Sequence, residues 1–367
     1  MKQMLKVWLL LLLFALALSS CTKADELTEA VVSPTVTPTA PPLAFEIPET
    51  ELPLAEPGPY ETSWIPGVKT YDEERADRNV TVSIYYPSKE GEPDFRGAPF
   101  PLIINDGKMY AKFGKHLASH GFIVAGISGI DTYSPWDENL FNQPLDYVFT
   151  LNQLADNPPP ELVEVIDTDH VGVWGYSFGG RNSVVLSGAR IDPEYYFYNC
   201  ENPDSATIPY TGGSLQKICA PYENWGTFMQ EAGPALTESE DGLWQAITDE
   251  RILAVMPLSA DSEWLFGPRG FASVDKAVLL SAGTSEGQRY EECFQIYKEL
   301  GTTEKIFVSF VRKDHGMIFG GEAPKIMQHL AIAFFSYHLK GYEAYEYYSS
   351  EEFLSQVEDL AWGWYEE

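Results

Sequence analysis

Residues 170–181 read His170-Val171-Gly172-Val173-Trp174-Gly175-Tyr176-Ser177-Phe178-Gly179-Gly180-Arg181. An apolar run leads into a Gly-x-Ser-x-Gly turn, and a helix-like stretch from Arg181 to Leu186 follows. Strand, tight turn and helix in that order make a nucleophile elbow, in which the central residue is held in a strained backbone conformation. Strand and helix run so close together there that only small neighbours fit, and Gly175 and Gly179 supply them. The five-residue pattern alone recurs by chance, and its setting between strand and helix is what makes it specific. The reading predicts an α/β chain whose Ser177 hydroxyl projects into open space from the end of a buried strand.

Short apolar or β-branched runs recur on both sides of this stretch: Val80–Tyr86, Pro101–Asn105, Phe122–Ser128, Ile252–Leu258, Ala277–Ala282 and Ile306–Val311. All but the first are continuous apolar runs, the signature of strands covered on both faces. Helical patterns intervene, including Pro144–Leu154 with Pro144 in its first turn, Gly287–Leu300, and Pro324–Leu339 with Ile326, Leu330, Phe334 and Tyr337 on one face. Alternating strands and helices predict a mostly parallel, doubly wound sheet. Val80–Tyr86 alternates polar and apolar residues and is expected as an antiparallel strand at the N-terminal edge. Residues 191–250 separate two strands by far more than an ordinary connection and form an insertion, expected as a lid.

The N-terminus is of another kind. Lys2 and Lys6 precede an apolar run from Val7 to Leu18, and Leu18-Ser19-Ser20-Cys21 places small residues before a cysteine. This is a secretory signal over residues 1–20, too short to span a bilayer, which takes about 20 apolar residues. Its ending resembles a bacterial lipobox, which implies cleavage before Cys21 and acylation of that thiol. Residues 21–57, rich in Pro and Thr, lack apolar periodicity and are expected to be a disordered tether ahead of a catalytic domain over 58–367. In an exported chain, Cys200 and Cys219 are expected to form a disulfide, while Cys293 lies on a helical apolar stripe and reads as core. The net charge of −30 excludes nucleic acid and anionic surfaces as natural partners. The cysteine and histidine spacings hold no metal pattern. The oligomeric state is not written in the sequence.

A serine hydroxyl is a poor nucleophile at neutral pH, so the elbow implies a base and a carboxylate to orient it, in the chain order serine, acid, histidine. His315, His329 and His338 follow Ser177, and His315 alone sits in a loop just after a strand, Arg312-Lys313-Asp314-His315-Gly316, where strand ends deliver residues to a rim. Glu286, after Ala277–Ala282, and Asp261, after Ile252–Leu258, are alternative acids. An oxyanion needs two N–H donors. Phe178, after the serine, is expected to supply one, and Lys108, in Asn105-Asp106-Gly107-Lys108, the other.

Together these residues resemble the α/β-hydrolase family that includes platelet-activating-factor acetylhydrolases, dienelactone-hydrolase-like esterases and cutinases. The likeness runs through Pro57-Gly58-Pro59-Tyr60, Tyr86-Pro87, Leu117-Ala118-Ser119-His120-Gly121-Phe122, the elbow, Leu265-Phe266-Gly267-Pro268 and Ala282-Gly283-Thr284. It implies an α/β-hydrolase fold and a serine carboxylic ester hydrolase acting without cofactor, with short-acyl lipid or phospholipid esters as substrates. The expected location is extracytoplasmic, on a bacterial cell membrane through Cys21. A serine peptidase of the same fold, and a non-catalytic ligand-binding lipoprotein, are the alternatives. Two positions depart from the family: Asp106-Gly107 stands where His-Gly is usual, and Glu286 where Asp is usual. An inward Asp106 weakens an oxyanion hole, whereas one paired with Lys108 or turned to solvent spares it.

Overall fold

The strand leading to Ser177 lies in the interior of a sheet, flanked on both sides by parallel strands. The computed structural model describes residues 40–75, 78–129, 136–206, 215–261 and 263–366, all within one compact unit, Pro38–Glu367. Residues 1–39, which hold the expected signal, Cys21 and much of the expected tether, lie outside the described residues. Among those described, no helix is long and apolar enough to cross a membrane.

The strands are β1 (Glu61–Asp72), β2 (Arg78–Lys89), β3 (Glu92–Pro93), β4 (Phe100–Asp106), β5 (Ile123–Ile127), β6 (Ile166–Tyr176), β7 (Ile252–Leu258), β8 (Ala277–Gly283), β9 (Lys305–Phe310) and β10 (Leu360–Trp362). They form one sheet in the order β1-β2-β5-β4-β6-β7-β8-β9-β10, with β3 beside β2. From β5 to β9 the neighbours are parallel, while β1, β2, β3 and β10 pair antiparallel. The chain is therefore α/β with a mostly parallel mixed sheet; Val80–Tyr86 is antiparallel as expected, within β2, but it is not the edge strand, because β1 pairs along its outer side. Every residue of β4, β5 and β8 is buried, which is why these strands read as unbroken apolar runs.

The longer helices are α1 (Gly107–Ser119), α2 (Asn139–Asp156), α3 (Phe178–Leu186), α4 (Pro193–Glu201), α5 (Trp225–Ala232), α6 (Glu263–Phe271), α7 (Gln288–Glu299) and α8 (Ala323–Lys340). Successive strand residues feed opposite layers, as a period of two requires. Ile103 joins Met109 and Phe113 of α1 and Leu330 and Phe334 of α8. Ile104 joins the other layer, with Tyr147 and Leu151 of α2 and Val184 of α3.

Pro144 and residues 40–57 differ from the sequence reading, whereas the disulfide of the insertion is as expected. Pro144 lies inside α2, well past its first turn; lacking an N–H, it leaves the carbonyl of Leu140 without its helical donor. The insertion 191–250 is largely helical between Pro193 and Thr237 where described and runs without helix over 238–250, and its aromatics cluster against the domain: Phe228 packs 5.4 Å from Trp244 and 5.3 Å from Phe141 of α2, ring to ring. Cys200 and Cys219 are bonded there with Cα atoms 5.8 Å apart, and Cys293 is a buried thiol.

The second of these differences concerns residues 40–57, which lie on the domain instead of continuing the tether. Leu43, Phe45, Ile47 and Leu52 pack on the core, and Leu54 is fully buried. These apolar residues are spaced irregularly among prolines, so no periodicity announces them. Three histidines, His120 and His329 buried and His116 half-buried, hold the strap by its backbone. His329 Nδ1 accepts the Leu54 N–H at 3.3 Å, His116 Nε2 lies 3.0 Å from Leu54 O, and His120 Nε2 lies 2.9 Å from Glu56 O. Burial lowers His116 and His329 to about 4 and His120 to about 3.

All three folded-state values lie below that of an unfolded histidine, about 6.5. The unfolded chain therefore binds more protons, and the stability present above about pH 6.5 is lost as pH falls through the folded values. Thermal denaturation followed by circular dichroism should show a midpoint that drops steadily from pH 7 to pH 4. His329→Gln, which keeps an acceptor but does not titrate, should flatten that slope; a wild-type midpoint independent of pH over this range would refute the account.

Candidate active site

Ser177 occupies the turn between β6 and α3 with φ 57° and ψ −114°, a region that side chains other than glycine seldom enter. Its N–H donates to Leu258 O at 2.9 Å, and its carbonyl accepts from Arg181 N–H at 3.0 Å. The turn is as tight as the motif requires: a Cβ on Gly175 would stand 2.0 Å from the carbonyl oxygen of Gly179. The hydroxyl does not project into open space, because Ser177 is only 2% exposed. Beside it, the His315 side chain keeps 35% of its exposure.

The C-terminal ends of parallel strands meet at one edge of the sheet, and β6, β8 and β9 bring three side chains together there. His315 Nε2 lies 3.0 Å from Ser177 Oγ, and His315 Nδ1 lies 2.7 Å from Glu286 Oε2. The second carboxylate oxygen, Glu286 Oε1, accepts Ser259 Oγ–H at 2.7 Å and Gly283 N–H at 2.8 Å. That side chain is only 1% exposed, yet each oxygen has a donor. Two backbone ties fix the loops against each other: Ser285 N–H donates to Lys313 O at 2.9 Å, and Arg312 N–H to Thr284 Oγ1 at 2.8 Å.

Of the two candidate acids, Glu286 is the one against the imidazole. Asp261 is engaged by Arg289 Nη1 at 3.2 Å. His329 serves the strap, and His338 lies near Glu304 at 3.7 Å.

The two expected N–H donors fare differently. Phe178 is the first residue of α3, so its N–H has no acceptor within the helix. Lys108 N–H is already taken: it donates to Asp106 Oδ1 at 2.9 Å, and Met109 N–H donates to the same atom at 3.0 Å. Asp106 is the N-cap of α1, a position that favours a short carboxylate because it satisfies first-turn N–H groups. Asp106 Oδ2 in turn accepts Tyr176 N–H at 2.9 Å. Asp106 is thus not turned to solvent, and Lys108 meets it through its backbone N–H. Asp106 points inward, 1% exposed, and its charge is spent on backbone donors.

Two residues at the site escaped the sequence reading. Tyr176 precedes the serine, sets its ring 4.9 Å from that of His315 at 31°, and donates its hydroxyl to the His315 carbonyl. Its place in the motif was the only signal, since β6 is buried on both faces and neither pattern nor charge shows which way Tyr176 turns. Ser259, with φ 49° just past β7, holds Glu286 and left no trace in the sequence beyond following a strand. No protein-family model and no curated protein matches the chain.

Replacing Asp106 with Ala removes a helix cap and strands a buried N–H at Tyr176, a combined loss of about 2–4 kcal/mol. Urea denaturation should record it, and a loss within experimental error would contradict the pinning role. Glu286→Gln should shift or abolish the downfield proton resonance of His315 Nδ1–H, whereas Asp261→Asn should leave it in place.

Proposed function

We propose that the protein is a serine carboxylic ester hydrolase of the α/β-hydrolase fold, with Ser177 as nucleophile, His315 as general base and Glu286 as the orienting acid. The observation that carries this reading is the unbroken hydrogen-bond chain from Glu286 through His315 to Ser177, whose serine sits at a positive φ. In the proposed cycle His315 Nε2 takes the Ser177 proton as Oγ attacks the ester carbonyl carbon. The carbonyl electrons move onto oxygen, and Phe178 N–H binds that oxyanion. The C–O bond to the alcohol then breaks, and His315 returns the proton to the leaving oxygen. Water, deprotonated by His315, attacks the acyl-enzyme and releases the acid. Glu286 keeps the imidazole in the tautomer with its proton on Nδ1 and stabilises the imidazolium.

An ester fits this site better than an amide. Alcohols leave more readily than amines, so an ester makes a smaller demand on the oxyanion hole, and the Lys108 N–H that would supply its second donor is bound to Asp106. The net charge of −30 favours neutral or cationic substrates over anionic ones. Short-acyl lipid or phospholipid esters are the proposed class, consistent with a signal segment and an acylated Cys21 that would hold the enzyme on a membrane outside the cytoplasm. The Cys200–Cys219 bond suits an oxidising compartment.

A fluorophosphonate probe should label the wild-type protein and not Ser177→Ala, and p-nitrophenyl acetate turnover should fall by up to about 10⁶-fold in that variant. Glu286→Gln should lower kcat by about 10³–10⁴-fold and Asp261→Asn by less than about tenfold. A wild-type protein that neither labels nor turns over would sink the esterase reading.

A further inference from the structure

Arg181 is fully buried in the first turn of α3, and its contacts are unusual for a guanidinium. Nη1 donates to Leu140 O at 2.9 Å, and Nη2 donates to Asn182 Oδ1 at 2.6 Å and Asn139 O at 3.4 Å. Nε has no hydrogen-bond partner. The guanidinium carbon sits 4.0 Å from the centre of the Phe178 ring. Among the described residues no carboxylate is within ion-pair distance of it. Asp261 and Asp137 act on it only through space, and Asp261 is bound to Arg289. Burial lowers its pKa to about 10, which leaves it charged at neutral pH.

The local chain explains the placement. Helical side chains lean toward the N-terminus, so Arg181 reaches back over Phe178, three residues earlier. Its principal acceptor, Leu140 O, is the carbonyl that Pro144 deprives of a helical donor. Asn182, the third anchor, is itself held by Gln143 Oε1 at 3.0 Å. A buried cation at a helix start opposes the helix dipole and has no counter-ion, so it costs stability in the resting protein. Negative charge arriving at the same helix start relieves that cost.

We infer that Arg181 is a positioning residue of the oxyanion side of the proposed site: stacked on Phe178, it fixes that donor and offsets the N–H that Asp106 withholds by favouring the negative charge of the tetrahedral intermediate. The inference rests on the esterase reading, and its test separates the two. In the full chain, Arg181→Met keeps the bulk and removes the charge, while Arg181→Lys keeps the charge and loses the planar stack. Kinetics with p-nitrophenyl acetate, affinity for an alkyl trifluoromethyl ketone and the thermal midpoint are measured for each. In the ketone adduct a bond forms from Ser177 Oγ to carbon, the serine proton passes to His315, and the carbonyl oxygen becomes the anion.

Arg181→Met should lower kcat by about 10- to 100-fold with KM within about threefold of wild type. It should weaken ketone binding by a similar factor and leave the thermal midpoint close to that of wild type, because relief of the buried charge offsets the donor lost to Leu140 O. Arg181→Lys should recover most of both losses. A fall in the midpoint with kcat and ketone affinity unmoved would make Arg181 merely structural, and a lysine variant as impaired as the methionine one would also overturn the inference. Should Arg181→Met not fold, Pro144→Ala tests the same point: it gives Leu140 O a competing helical donor and should lower kcat and ketone affinity together, and unchanged values would count against Arg181. If the wild type is active and Arg181→Met equals it, this inference fails alone; if the wild type is inactive, the esterase reading fails and takes it along.

Discussion

The carboxylate of Asp106 ties the start of α1 to the end of β6, where the elbow begins. One oxygen caps α1 through Lys108 and Met109 N–H, and the other holds Tyr176 N–H, one residue before the serine. The elbow is built around it: a Cβ on Gly179 would lie 2.2 Å from Asp106 Oδ2. The second glycine of the motif is therefore needed as much for this carboxylate as for the turn. A histidine at position 106 could not accept all three N–H groups, so this junction is specific to the acidic residue.

A second sorting of charge takes place after β7 and β8, which carry the two candidate acids, Asp261 and Glu286. Arg289 binds Asp261, and Ser259 and Gly283 complete the shell of Glu286. The carboxylate facing His315 is thus chosen by what surrounds each acid, not by how far along the chain it lies. The extra methylene of Glu286 relative to aspartate is accommodated because Glu286 sits in a one-turn helix right after β8, folded back so that Oε1 meets Gly283 N–H of the same turn.

Much of this was legible in the sequence, and the reasons for what was not are physical. The inner strands announced themselves because burial on both faces demands unbroken apolar runs. β1 did not, since Pro66 and Gly67 interrupt it where its register shifts between Ile65 and Val68, and β10 is only three residues long. Ser177 and His315 were readable because each follows a strand at its C-terminal end. The choice between Glu286 and Asp261 was not, because it depends on Arg289 and Ser259, which neither motif nor period marks. Lys108 was expected as a donor from its place in the loop after β4, and the carboxylate of Asp106, two residues earlier, takes its N–H instead. The strap 40–57 was hidden because its anchors are histidines far away in sequence that bind backbone groups, which carry no sequence signal.

Departures from local rules gather around Ser177. The serine itself and Ser259 take positive φ, Pro144 interrupts α2, and Arg181 places a buried charge where the dipole of α3 disfavours it. Folding alone does not call for any of these, since an alanine helix start, an unbroken α2 and a neutral residue at 181 would each be the more stable local choice. Their contacts are shared: Pro144 frees the acceptor of Arg181, Arg181 covers Phe178, and Ser259 holds Glu286. Strain that is concentrated and mutually dependent in this way is what a site prepared for a charge not yet present requires, because such a site must hold its dipoles against their own preference until the charge forms.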